Sequence, residues 1–231
     1  MLTKEIKVKP LLGKDRHPDL DQSDVYVFDE LTYRHWDQWE DGKFSHLFLE
    51  NFETGEVTDL MPGEPYDCPQ QPFGGSDDYT WNPSGNQVIY VSKKEYGTAY
   101  TLSTNTDLYA YDLTTGQTKN LTPNNKGYDT HPVFNHDGQL AWLQMDEAGY
   151  ESDKNDIILY RDGQPINLTA DWDGTVYSFI WGDEDRTIYF YAPVGGTRQL
   201  FQLSWDKNYR SSINQITDGV FDVSGLVGQL E

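Results

Sequence analysis

A repeat of about 47 residues constrains this chain more than any other feature of its sequence. One repeated phrase is an aromatic residue followed by a polar turn, at Trp81–Gly85, Phe134–Gly138 and, more loosely, Trp181–Asp185. A second phrase closes each unit, at Asn120–Thr122, Asn167–Thr169 and Gln215–Thr217. Units of this length, holding four short strands each, are typical of radial β repeats.

Alternating runs that end in glycine turns lie between the two phrases. The clearest copy is Asp107–Gly116; Ser45–Gly55 matches it, Asp156–Gly163 is shorter, and Leu200–Trp205 lacks the glycine. Period-two alternation places one row of side chains against a neighbouring sheet, and glycine supplies the positive φ that hairpin turns require. The fold class predicted is therefore all-β, a partial β-propeller; a β-sandwich with accidental internal similarity is the alternative.

The repeat predicts four to five blades of four antiparallel strands, with negligible helix. Four of them are centred near residues 31–60, 79–122, 132–169 and 178–217. Residues 1–30 do not follow the repeat and form an extended connection or the end of a preceding blade, so the propeller domain is assigned to 31–231. A further blade should begin near Asp222–Leu226, and we therefore expect the chain to be a piece of something longer.

Two stretches exceed the period and interrupt the blades. They are Met61–Gly75, rich in proline and glycine, and Lys93–Thr106. Long excursions from a repeated scaffold are usually functional or packed against another element.

The charge of the chain limits its partners. With 38 acidic and 17 basic residues the net charge is −21. Such a surface repels nucleic acid and anionic membranes, so we expect neither as a partner. The acids are scattered through turns, which is typical of a solvated surface; a weak attraction for cationic ligands, including peptide amino termini, is the alternative.

Nothing in the sequence indicates a membrane span or a leader. There is no run of 18 apolar residues, and Met1–Ile6 lacks the apolar stretch of a signal peptide. The compartment stays open between cytoplasm and periplasm.

No complete catalytic or cofactor motif occurs in the sequence. It contains no Gly-x-Ser-x-Gly elbow, no His-Glu-x-x-His helix and no phosphate-binding loop, so we expect no catalytic residue, metal or cofactor. The one cysteine, Cys68, has no basic neighbour and is interpreted as a packed thiol. His46 and His136 fall in repeat positions and are interpreted as structural. The glycosylation sequons at Asn120 and Asn167 coincide with the closing phrase, which explains them without glycosylation.

Two segments are candidates for ligand binding. The first, Tyr33–Lys43, concentrates aromatic and charged side chains before a strand, and the second, Met145–Asn155, is a polar hairpin tip. An aromatic plug and a solvated turn are the structural alternatives. The candidate substrate-binding residues in these segments are Arg34, Trp36, Tyr150, Glu151, Asp153 and Lys154.

The same segments resemble the propeller of the prolyl oligopeptidase family of serine peptidases, in its dipeptidyl peptidase V and acylaminoacyl peptidase branch. The resemblance covers nearly the whole chain from about residue 20. It is carried by Tyr33–Asp37, Asp41–Phe48, Met61–Pro69, Tyr90–Lys94, Gly127–Phe134 and Gly149–Asn155.

The resemblance implies a parent enzyme in which a seven- or eight-bladed propeller caps an α/β-hydrolase domain. That domain follows the propeller and carries the catalytic serine, aspartate and histidine, so this chain alone should be inactive. The implied role is to gate and bind short peptides for a serine exopeptidase that releases short amino-terminal units. Glu151 is the candidate for holding a peptide amino terminus.

The implied partners are short peptides and the hydrolase domain, and we expect self-association through open blade edges. The alternative function is a protein–protein interaction propeller with no hydrolase partner.

Overall fold

Antiparallel β-strands dominate the structure, a computed structural model that describes residues 1–183 and 186–228. The predicted all-β partial propeller is confirmed. Three four-stranded sheets and one three-stranded sheet form successive blades, and a separate two-stranded hairpin lies outside them. Part of the third aromatic-turn copy, Glu184 and Asp185, and the end of the predicted domain, 229–231, lie outside the described residues.

The second, third and fourth blades each run in sequence order from their first to their last strand. The second contains β6 (Tyr79–Trp81), β7 (Gln87–Ser92), β8 (Asp107–Asp112) and β9 (Thr118–Asn120). The third contains β10 (Asp129–Phe134), β11 (Leu140–Gln144), β12 (Asp156–Arg161) and β13 (Gln164–Asn167). The fourth contains β14 (Ser178–Trp181), β15 (Thr187–Val194), β16 (Thr197–Trp205) and β17 (Ser211–Gln215). These blades occupy the predicted ranges.

The first blade departs from the prediction. Its sheet has the order β1-β4-β5, formed by β1 (Leu2–Lys7), β4 (Lys43–Glu50) and β5 (Val57–Asp59). The predicted start of the propeller at residue 31 is therefore corrected, because β1 joins this blade from within residues 1–30, which the sequence predicts to be an extended connection or the end of a preceding blade. Residues 31–42 instead contain the hairpin of β2 (Arg34–His35) and β3 (Gln38–Trp39).

Helix is confined to the loops. It comprises α1 (Gly13–Arg16), α2 (Thr98–Leu102) and a 3-10 turn at Ser76–Asp78. In the described part of the chain, no helix has the length and hydropathy that crossing a membrane would require.

The core consists of apolar layers between adjacent blades, which β7 illustrates. Val88 and Tyr90 pack with Leu47 of the first blade, whereas Ile89 and Val91 pack with Trp142 of the third blade. Successive side chains of a strand point to opposite faces, so each inner blade is buried on both sides. This arrangement explains why one blade alone would not be stable.

A polar clasp at one end of each blade explains the closing phrase of the repeat. In the second blade, Asn120 Nδ2 and Thr122 Oγ1 donate to the Asp107 carboxylate at 2.9 and 3.3 Å. The Leu108 amide in turn donates to Thr122 Oγ1 at 3.0 Å. Asp156, Asn167 and Thr169 repeat the same contacts in the third blade. The asparagine of each sequon is therefore a clasp residue, which gives its place in the closing phrase a structural reason.

The other two blades close with variants of this clasp. In the fourth, Gln199 replaces the aspartate and accepts from Thr217 Oγ1 at 2.8 Å. In the first, the polarity is inverted: His46 stands at the aspartate position and Asp59 at the asparagine position, with Nδ1 of the ring 3.0 Å from the carboxylate.

Candidate ligand-binding site on the loop face

The long loops of this chain emerge at one end of the blades. In a blade of four antiparallel strands, the loop between the second and third strands leaves at the same end as the connection to the next blade. The loops concerned are residues 8–42 (the first excursion), 60–75 (the first connection), 93–106 (the second excursion) and 145–155 (the third excursion). We call this end the loop face.

The excursions contact one another across the loop face. Lys9 in the first lies over the Tyr96 ring in the second, 4.7 Å from its centroid. The Gly149 amide in the third donates to Thr104 Oγ1 in the second at 3.0 Å. Three loops from three blades therefore form one continuous surface.

A pocket of about 250 Å³ lies between the first excursion, the first connection and the second excursion. Its walls include aromatic rings of all three loops and of β4, namely Phe28, Phe44, Tyr66, Tyr96 and Tyr100. Its charged side chains are Lys9, Arg16, Asp29, Glu30, Glu40, Asp67, Lys93 and Glu95. Aromatic walls with a few convergent polar groups are typical of small-molecule sites.

The cations of the pocket are already engaged. Lys9 pairs with Glu30 at 3.4 Å and Arg16 with Asp29 at 2.7 Å. The Lys93 ammonium donates to the carbonyl oxygens of Tyr100 and Ser103. Among the described residues, three carboxylates of the pocket have no ion-pair partner: Glu40, Asp67 and Glu95.

Burial perturbs two carboxyl groups that line the pocket, those of Asp67 and Glu40. It raises the pKa of Asp67 to about 6, against the lowering effect of the Ser45 amide, which donates to Asp67 at 2.7 Å. Burial, followed by the nearby charge of Asp41, also raises the pKa of Glu40. Burial and then the charges of Asp67 and Glu40 raise the pKa of Tyr100 to about 12. These groups share a poorly solvated environment in which an incoming cation would relieve their repulsion.

One residue that lines the pocket, Gln70, also carries an acceptor that is unpaired among the described residues. This acceptor is its Oε1 atom, which is buried without a hydrogen-bond partner in the described part of the chain. A buried acceptor left unpaired has a free-energy cost, which a hydrogen-bond donor on a ligand would remove.

The predicted residues of the first excursion lie beside the pocket rather than in it. Arg34 and Trp36 line a neighbouring groove of about 380 Å³, where the Arg34 guanidinium donates to the Trp36 carbonyl. The Trp36 ring is 64 % exposed and packs edge-on against Phe73, with centroids 5.6 Å apart.

The predicted residues of the third excursion divide into two kinds. Tyr150 and Glu151 are exposed at the hairpin tip. Asp153 holds the tip together by accepting the amides of Asp146 and Glu147 at 2.9 and 2.8 Å. Lys154 extends the blade clasp, with its ammonium 2.7 Å from Asp156 and 2.8 Å from the Thr169 carbonyl.

Sequence reasoning missed Glu40, Asp67, Gln70, Lys93 and Tyr100, although each lies in a segment that it had marked. The signal was the excess length of the loops. It did find the packed thiol, since Cys68 is fully buried between the first two blades.

Comparisons with known proteins agree with this architecture. The chain is 36 % identical over 228 residues to dipeptidyl-peptidase 5 of Porphyromonas gingivalis, and 38 % identical over 230 residues to that of Porphyromonas endodontalis. These matches cover 96 % and 97 % of the chain but 33 % of each relative, so the chain spans about a third of their length. No protein-family model matches it.

A solved structure shows the same fold at lower identity. The acylaminoacyl peptidase of Pyrococcus horikoshii superposes with a TM-score of 0.60 over 96 % of this chain and 30 % of the peptidase, at 15 % identity. The chain is thus a partial β-propeller. More particularly, it is related to a portion of the dipeptidyl-peptidase 5 proteins, which confirms the resemblance predicted from its sequence and does not favour an interaction propeller.

Proposed function

We propose that this chain is the substrate-gating and substrate-binding propeller portion of a serine exopeptidase, and that its loop-face pocket holds the amino-terminal end of a short peptide. The observation that carries the proposal is that two of the unpaired carboxylates, Glu40 and Asp67, line an aromatic-walled pocket and have pKa values raised by burial. Glu151, at the exposed tip of the third excursion, meets the incoming peptide outside the pocket.

The chemistry of the pocket favours a primary ammonium group. Such a group offers three hydrogens, and Glu40, Asp67 and Gln70 offer three acceptors. A charge-assisted hydrogen bond contributes about 1.5–3 kcal/mol. The rings of Tyr66 and Tyr100 add apolar surface for the first residues of the peptide.

Peptides that differ only at the amino terminus test the proposal on the whole chain. We expect calorimetric titration to show binding of a tripeptide amide with a free amino terminus, and binding at least about tenfold weaker for its acetylated form. Affinity should also fall between pH 7 and pH 5, because the Asp67 carboxyl, whose pKa is about 6, becomes protonated over that range. Equal binding of the two peptides would contradict the proposal.

Matched variants assign the acceptors. Glu40→Gln and Asp67→Asn remove one charge each and should weaken free-amine binding about tenfold or more. Glu151→Gln should have a smaller effect because Glu151 is exposed. Glu147→Gln is the control at the same hairpin tip, and Glu53→Gln is the control in a turn at the other end of the first blade; both should bind as the unchanged chain does.

We also expect the chain alone to hydrolyse no peptide. Serine peptidase chemistry needs a nucleophile, a histidine base and an oxyanion hole in one geometry, and binding alone does not accelerate a reaction. Dipeptidyl and acyl-aminoacyl chromogenic substrates and a fluorophosphonate probe check this. Stoichiometric labelling of any serine would contradict it.

A further inference from the structure

The inverted clasp of the first blade contains a histidine whose two ring nitrogens both face acceptors. His46 is 0 % exposed. Its Nδ1 lies 3.0 and 3.1 Å from the two carboxylate oxygens of Asp59, and its Nε2 lies 2.8 Å from the Glu64 carbonyl oxygen. A carbonyl oxygen and an ionised carboxylate can only accept, so each ring nitrogen has to supply a hydrogen.

We propose that His46 is held as a doubly protonated imidazolium, and that this charged ring positions one wall of the loop-face pocket through the Glu64 carbonyl. This wall, the floor, consists of Pro65, Tyr66 and Asp67. The part concerning the pocket rests on the proposed function; the protonation state does not.

Asp59 is suited to remain the anion of this pair. Its Oδ1 also accepts the Met61 amide at 2.8 Å, and its side chain is 19 % exposed, so the carboxylate keeps both a second donor and contact with water. A carboxylate with such donors is favoured over its acid form. A neutral ring beside a carboxylic acid would lose these advantages.

Charged residues also occur on the elements that pack against the ring. Lys4 is its cross-strand neighbour on β1, and Asp67 and Glu64 belong to the first connection. Lys94, in the second excursion, pairs with the Glu64 carboxylate at 2.6 Å. With Asp59 included, three acids and two lysines lie on these elements, and this excess of acids favours the cationic form of the ring.

The contact at Glu64 connects the clasp to the pocket. Glu64 immediately precedes Pro65, Tyr66 and Asp67, which line the pocket. The same stretch is tied to the blades by the Cys68 amide, which donates to the Ser45 carbonyl at 2.8 Å, and by Ser92 Oγ, which donates to the Asp67 carbonyl at 3.0 Å. If the ring loses a proton, it can donate to only one of its two acceptors.

The direction with pH follows from this geometry. The charged ring stabilises the floor at low pH, and that contribution is lost as the pH rises and the proton leaves. Peptide affinity should therefore decline on the alkaline side through His46, and on the acidic side through Asp67.

Nitrogen-detected NMR of the histidine rings tests the protonation state without any ligand. In the whole chain at pH 7, we expect hydrogens on both ring nitrogens of His46. One bare nitrogen on His46 would overturn the proposal, whatever the chain binds.

The variant His46→Gln tests the positioning role. Blade four already carries Gln199 at this clasp position, so the neutral side chain should leave the chain folded. In the unchanged chain, the protection of the Cys68 and Gln70 amides against hydrogen exchange should decline at alkaline pH, as the His46 ring loses its proton. In the variant, we expect exchange at these two amides to be several-fold faster and this decline to be absent. Unchanged exchange and unchanged dependence on pH would overturn the positioning role. If the unchanged chain binds no peptide, that result contradicts the proposed function, but it leaves the protonation state of His46 and its effect on exchange untouched.

Discussion

Replacing Gly42 with alanine should lower the free energy of unfolding by about 3 kcal/mol and abolish ligand binding at the loop-face pocket. Gly42 has a φ of +83°, and a Cβ atom placed there would lie 2.1 Å from the Lys9 carbonyl oxygen. The Gly42 carbonyl accepts the amides of Val8 and Lys9 at 2.9 and 3.0 Å. These bonds close the base of the first excursion, so the substitution would displace the excursion that contributes Glu40 and Phe28.

Gly55→Ala is the matched control for this prediction. Gly55 has a φ of +71°, but no atom would lie within 4 Å of an added Cβ. The Gly55→Ala variant therefore isolates the effect of backbone strain, which should lower the free energy of unfolding by about 1 kcal/mol. Urea unfolding of the two variants measures the difference, and equal stabilities would show that the contact with Lys9 is relieved at no cost.

Replacing Asp156 with alanine should lower the free energy of unfolding by about 3–5 kcal/mol. Asp156 accepts from Asn167 Nδ2 at 2.9 Å and Thr169 Oγ1 at 2.6 Å, and its carboxylate pairs with Lys154. The substitution leaves these donors without their shared acceptor at a buried position. Because the clasp also supports the third excursion, amide exchange there should accelerate.

Asp162→Ala is the control in the same hairpin. The Asp162 side chain is 86 % exposed and pairs only with the adjacent Arg161 at 3.1 Å among the described residues. A surface pair of this kind contributes about 0–1 kcal/mol, and the φ of +50° at Asp162 adds backbone strain of about 1 kcal/mol for alanine. A loss at Asp156 no larger than the loss at Asp162 would contradict a stabilising clasp.

The repeat was sufficient to predict three blades because its phrases are local hydrogen-bonding devices. Asn120 and Thr122, for example, lie two residues apart and bond to the same carboxylate. The first blade was predicted differently from what the structure shows because β1 pairs with β4 across the whole first excursion. The alternation of Leu2–Lys7 is mostly polar, and nothing local to it indicates a partner more than 35 residues away.

The loops that form the site could be marked from the sequence, but the residues that line it could not. Excess length identified the segments that contain Asp67, Lys93 and Tyr100. Their convergence with Glu40 depends on three blades placing their loops side by side, which no spacing within one loop encodes. The strongly acidic composition favoured a cationic ligand over an anionic one without indicating where it would bind.

The clasps have a consequence for how such chains diversify. Each clasp fastens the strand ends from which the loops emerge, so the loops can differ in length while the frame stays the same. The first three blades carry excursions at the loop face. In the fourth blade, the same two strands are joined there by a turn of only two residues, Gly195 and Gly196, both with positive φ. A segment inserted at that turn would therefore enlarge the loop face without contacting the core. Recognition and scaffold can therefore evolve, or be engineered, as separate modules.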